Sequence, residues 1–141
     1  MPIELSDTLG PNESPGERLQ HARIQKGMTI TDLAQAAETT IHTIMNIERG
    51  RTHPSLSNLN RFARILEVNI SYLGCFEELP ENTLGQKIKK ARLFHGHTQS
   101  EVSRIVGVNP RTLGEWENGR RQPLPENLEA LHGYLEILKD K

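Results

Sequence analysis

"RTLGEWENGRRQP", from Arg111 to Pro123, and "HTIMNIERGRTHP", from His42 to Pro54, share one skeleton and differ in what they hang on it. Both carry Thr second, then Glu-x-Gly-Arg, then Pro four residues after the Gly. Sliding the chain against itself by 69 residues extends this match without a gap from Gly16/Gly85 to Glu67/Glu136. Fourteen of the 52 positions are identical, among them Arg23/Arg92, Thr29/Thr98, Glu48/Glu117 and Leu66/Leu135. A match at one constant offset marks two copies of one domain.

Each copy reads as a string of short helices. In the second, Leu84, Ile88 and Ala91 recur at helical spacing and Gly96 ends the helix. Thr98 with Glu101 forms a capping box for the next helix, whose inner face is read as Val102, Ile105 and Val106. Gly107 then permits a tight turn, and Asn109 followed by Pro110 opens a third helix that turns Leu113 and Trp116 inward. A fourth starts near Pro125 and is expected to bury Leu128, Leu131 and Leu135. The expected core of the first copy is Leu19, Ala22, Leu33, Ala34, Ala37, Ile44, Ile47, Leu59, Phe62 and Leu66, with a short turn closing at Gly74. The organisation is therefore an acidic tail (1–15), domain 1 (16–74), an acidic linker (75–84) and domain 2 (85–141). The fold class is all-α. The net charge of −1 divides into −3 on the tail, +2 on domain 1, −3 on the linker and +3 on domain 2, so two basic modules sit behind a near-neutral total.

Two helices joined by a turn of about four residues, the second short and capped, form a helix-turn-helix. The major groove admits such a second helix with its N-terminal outward residues against base edges. In domain 2 the outward residues are Asn109, Arg111, Thr112, Glu115 and Asn118. Arg111 can bond guanine twice and Glu115 can accept from cytosine N4. Gly114 lies between them, either to let the helix approach DNA closely or as drift at an exposed site. In domain 1 the corresponding residues are Thr40, His42, Thr43, Asn46 and Arg49, of which Asn46 suits adenine. Arg51, Arg120 and Arg121, after the third helices, and Gln99, at the start of the second, are placed for phosphate.

The stretches "HTQSEVSRIVGVNPRTLGEWENGRRQP" and "MTITDLAQAAETTIHTIMNIERGRTHP" resemble the phage repressor and Cro family of helix-turn-helix domains, also called the xenobiotic-response-element or XRE family. The resemblance covers residues 16–74 and about 84–138. It implies lambda-repressor-like bundles of four or five helices, double-stranded DNA as partner, and action on transcription, usually as a dimer. It further implies that Gln99 and Asn118 touch phosphate, that Arg111 and Glu115 read bases, and that Arg23 pairs with Glu48 and Arg92 with Glu117 as structural ion pairs. Domain 1 departs from the pattern: Ile30 replaces the Gln, and Glu38 replaces the Gly of the turn, where a positive φ is called for.

Other function classes find little support. Six aromatic residues make no base-stacking platform. The lone Cys75 forms no internal disulfide, which fits a reducing, cytoplasmic setting. The N-terminal residues do not read as a signal peptide, and no run of 18 apolar residues suggests a membrane span. His95-x-His97 lacks partners at ligand spacing, and Glu115 and Glu117 point apart on one helix, so no metal, cofactor or catalytic residue is expected. The reading is a bacterial or phage transcriptional regulator, a repressor in its simplest form. The extended linker reaches about 33 Å, against roughly 34–36 Å between recognition helices one DNA turn apart. Three alternatives stay open: an antitoxin with a toxin partner, homodimerisation, and domain 1 as a protein-docking module beside a DNA-binding domain 2.

Overall fold

A computed structural model describes residues 13–140. They divide into two compact units at Cys75/Phe76. Among the described residues all regular structure is helical. Unit 1 holds α1 (Pro15–Gln25), α2 (Ile30–Ala36), α3 (Ile41–Glu48), α4 (Leu56–Leu66) and α5 (Ile70–Leu73). Unit 2 opens with a 3-10 turn (Phe76–Glu78) and continues with α6 (Leu84–His95), α7 (Gln99–Val106), α8 (Pro110–Glu117) and α9 (Pro125–Leu135), then a second 3-10 turn (Glu136–Asp140). The all-α class therefore holds among the described residues.

The helix starts follow from local chemistry. Ser14, Thr29, Thr83 and Thr98 each accept from the backbone N–H three residues on, and the side chain at that third position answers back. Four capping boxes thus satisfy N–H groups that helix geometry orphans. Of the segment 1–15, residues 1–12 lie outside the described residues, while Ser14 and Pro15 belong to the start of α1. Glu13 is drawn in as well, since its carboxylate accepts from Nε of the buried Arg18.

Every core residue expected in domain 1 is buried, and Ile70 and Leu73 of α5 complete that core. In domain 2, Ile88, Ala91, Val102, Leu113, Trp116 and Leu131 form the buried cluster with Tyr134 and Leu138, while Leu84, Val106 and Leu135 pack at its margin. Ile105 corrects the expected inner face of α7, because its side chain is 55% exposed. At about 100° per residue, Val102, Ser103 and Val106 share one face and Ile105 falls outside it. Ser103 is buried instead, its hydroxyl bonded to Ser100 O at 2.7 Å. The same helix in domain 1 turns Leu33 and Ala34 inward and leaves Ala36 exposed. A small residue on this face lets α7 and α2 sit close to their neighbours.

Part of the acidic stretch 75–84 is bound to α6. Lys90, 3% exposed, donates from Nζ to Glu77 O (3.1 Å), Leu79 O (2.8 Å) and Glu81 Oε2 (2.6 Å). A buried ammonium requires such partners, and three oxygens use all its protons.

Gly16 and Gly85 open the repeat because the first helix of each unit crosses the end of the third at backbone contact. A Cβ on Gly85 would stand 2.2 Å from Trp116 O, and one on Gly16 2.1 Å from Ile47 O. Neither obstacle is a flexible side chain. Gly85→Ala is expected to destabilise unit 2 by about 1–3 kcal/mol, a fall of several degrees in melting temperature. Trp116 is the chain's single tryptophan, so its fluorescence reports on unit 2; an unchanged melting curve would refute the close-contact account.

Candidate nucleic-acid interface

In each unit a short helix is capped, anchored from behind and left open in front. For α8, Asn109 Oδ1 accepts from Thr112 N at 2.8 Å and Pro110 fills the first turn. For α3, Thr40 Oγ1 accepts from Thr43 N at 3.1 Å, and the two threonine hydroxyls lie 2.9 Å apart. The turn before α8 uses Gly107 at φ 86°, whereas Glu38 holds the equivalent place before α3 at φ 55°. A non-glycine residue there carries a cost of order 1–3 kcal/mol. The departure seen at Glu38 thus leaves the turn intact at some expense in stability.

The anchor is a buried ion pair. Arg92 Nε donates to Glu117 Oε2 at 2.7 Å and Nη2 to Oε1 at 3.2 Å, while Nη1 reaches His97 O at 3.1 Å. Arg23 repeats this with Glu48 (2.7 and 3.0 Å) and Met28 O (2.9 Å). Each fork ties the first helix, the loop after it and the last turn of the third helix into one joint. Tyr134 packs behind the joint of unit 2, with its hydroxyl 2.8 Å from His97 Nδ1 and its ring 4.3 Å from that of His95. Burial raises the Tyr134 phenol well above its usual pKa, so it stays protonated. Glu101 is held below the ordinary carboxylate range by the Thr98 N–H it accepts from.

In front, Arg111, Asn118, Arg120 and Arg121 are exposed on unit 2, and His42, Arg49 and Arg51 on unit 1. Thr112, Glu115, Thr43 and Asn46 are half-buried. Several of the candidate side chains already have work within the domain. Asn109 commits its oxygen to the cap, leaving its amide N–H groups as donors. Glu115 lies 3.7 Å from Arg121 Nε, an exposed pair whose opening costs about 0–1 kcal/mol. Gln99 Nε2 donates to Glu117 Oε1 at 3.0 Å, and its amide lies across Gly114, 3.7 Å from where a Cβ would stand. That contact gives Gly114 a neighbour on its own domain, a third account beside close approach to DNA and drift. The Gln99–Glu117 bond escaped the sequence reading, although Gln99 and Gly114 diverge together in domain 1, to Ile30 and Met45.

Among the described residues no group of three or more His, Cys, Asp or Glu could hold a metal ion, and no helix is long and apolar enough to cross a membrane.

A profile of the helix-turn-helix family matches residues 19–73 and again residues 88–138. Over 54 residues the chain is 35% identical to the HTH-type transcriptional regulator DdrOP3 of Deinococcus deserti, a stretch covering 38% of this chain and 42% of that protein. The chain thus aligns with less than half the length of that relative.

Removing Arg92 strands Glu117 in a nearly dry site, since the glutamate side chain is 3% exposed. Arg92→Ala is expected to cost unit 2 about 3–5 kcal/mol. Urea unfolding followed at Trp116 checks this, and a loss below about 1 kcal/mol would show that Gln99 and water can replace the guanidinium.

Proposed function

We propose that this chain, which belongs to the helix-turn-helix family, is a sequence-specific DNA-binding transcriptional regulator that reads the major groove with α8. The observation that carries the reading is a capped eight-residue helix fixed from behind by Arg92–Glu117, with Arg111 exposed in its first turn and Arg120 and Arg121 exposed just past its end. An unpaired guanidinium at the start of such a helix suits the N7 and O6 acceptors of guanine. Glu115, one turn on, suits cytosine N4 once its contact with Arg121 opens, and Arg121 is then released toward the phosphate beside it. Gln99 and Asn118 are assigned phosphate, Gln99 through the amide proton that Glu117 does not take. Asn109 serves mainly by setting the helix start, with its amide N–H groups turned to the groove. In domain 1, Arg49 and Arg51 stand where Asn118 and Arg120 stand in domain 2, and they are assigned phosphate too. Two such modules on one chain can occupy one promoter site, and occupancy of a promoter makes repression the simplest outcome.

Base readers and phosphate contacts separate experimentally. Arg111→Ala should reduce discrimination at one G·C pair by about 1–3 kcal/mol and leave the other positions of the selected consensus in place. Arg120→Ala should weaken binding to every sequence alike and make the slope of log K against log salt shallower by about 0.9. In-vitro selection from a random pool, run for each variant, decides between these roles. A consensus unchanged by Arg111→Ala would remove Arg111 from the readers.

A further inference from the structure

The joint that aims the recognition helix is the same in both units, so residues at equal register on α3 and α8 face the same way out of their domains. Ile41 corresponds to Pro110, His42 to Arg111, Met45 to Gly114 and Asn46 to Glu115. In α8 this face pairs a cation with a carboxylate. In α3 it carries two apolar side chains, an imidazole and a primary amide. Ile41, at the first helical position, is 42% exposed although it is β-branched and fully apolar. Met45 follows one turn later on the same stripe, half-buried, and Asn46 lies one turn after His42. Among the described residues no hydrogen bond engages the Asn46 side chain; its backbone carbonyl accepts from Arg51 N at 2.8 Å and Thr52 N at 3.4 Å. The amide oxygen and both amide protons are thus open.

Resting on the DNA-reading function proposed above, we infer that domain 1 reads a second half-site of A·T character, so that the operator is asymmetric. The chemistry is specific at each position. Thymine alone offers a C5-methyl group in the major groove, and an exposed aliphatic side chain is its natural contact. Adenine alone offers the N7 acceptor beside the N6 donor that a primary amide can grip twice. No carboxylate or guanidinium occupies the base-facing positions Ile41, His42, Met45 and Asn46, so this helix lacks the groups that select guanine or cytosine most strongly. Arg49 and Arg51, exposed beyond the helix, keep the domain suited to a phosphate backbone rather than to an apolar protein partner. Ile30 fits the same picture, since it extends the apolar character to the position where domain 2 places Gln99.

The test uses the full chain and its selected DNA. The consensus should contain a G·C-bearing half altered by Arg111→Ala and an A·T half altered by Asn46→Ala. Replacing thymine by deoxyuracil in the second half removes only the methyl groups. Binding by the parent chain should then weaken about fourfold for each contacted methyl, the worth of burying one such group. The Ile41→Ala chain should be indifferent to that replacement while still distinguishing adenine through Asn46. Ile41 is exposed and outside the core, so its truncation leaves the fold as an unaffected reference. A footprint confined to one half-site overturns the inference and assigns the Ile41 face to protein docking. So does equal sensitivity to deoxyuracil in both chains. Neither result touches the function proposed for α8, which stands or falls on Arg111→Ala in the first half.

Discussion

The rest of each unit depends on one buried, two-pronged ion pair. Arg92 and Glu117, like Arg23 and Glu48, sit 25 residues apart in sequence and lock the first helix to the end of the third. The arginine's third nitrogen reaches the carbonyl one residue beyond the first helix's terminal glycine, His97 O after Gly96 in one unit and Met28 O after Gly27 in the other. That bond fixes the loop from which the second helix starts. The placement of the third helix therefore follows from this charge pair and its hydrogen bonds together with the buried Leu113 and Trp116, or Ile44 and Ile47. A buried pair of this kind is a poor source of net stability but a strict geometric device, because any other arrangement leaves a charge unsatisfied.

Gly16 and Gly85 are the steric half of the same constraint. The backbone of the third helix passes so close that no side chain fits between, and only then can an arginine from the first helix reach the glutamate squarely. Outside this joint, sequence change is tolerated. Ile30 stands for Gln99, Met45 for Gly114 and Asn46 for Glu115, with the joint preserved to within 0.2 Å in its hydrogen bonds.

Much of this was legible in the residues themselves. The capping box at Thr98, the inward Leu113 and Trp116, and the core of the first copy follow from spacing, since helix caps and apolar periodicity are local properties. Ile105 was misplaced because size was read as burial, whereas the tight face of α7 admits a serine and turns the larger residue out. Lys90 was unreadable for a different reason. Its three oxygen partners come from a segment that looks like acidic linker by composition, and only the fold brings its carbonyls over α6. The Gln99–Glu117 bond lies between these cases. Its partners are 18 residues apart, and the hint was the joint change of Gln99 and Gly114 between copies.

That joint change also explains why the two recognition surfaces drifted as sets. In unit 2, Gln99 donates to Glu117 and its amide lies across Gly114, where an added Cβ would stand in ordinary van der Waals contact at 3.7 Å. Once isoleucine takes that place, as at Ile30, the amide is gone, the glutamate keeps only its arginine, and the helix position below is free to carry Met45. The exchange removes a polar contact at one edge of the surface and adds apolar reach at its centre. The difference between the copies is then a joint substitution on and beside one face of the third helix, which the Arg23–Glu48 pair survives unchanged.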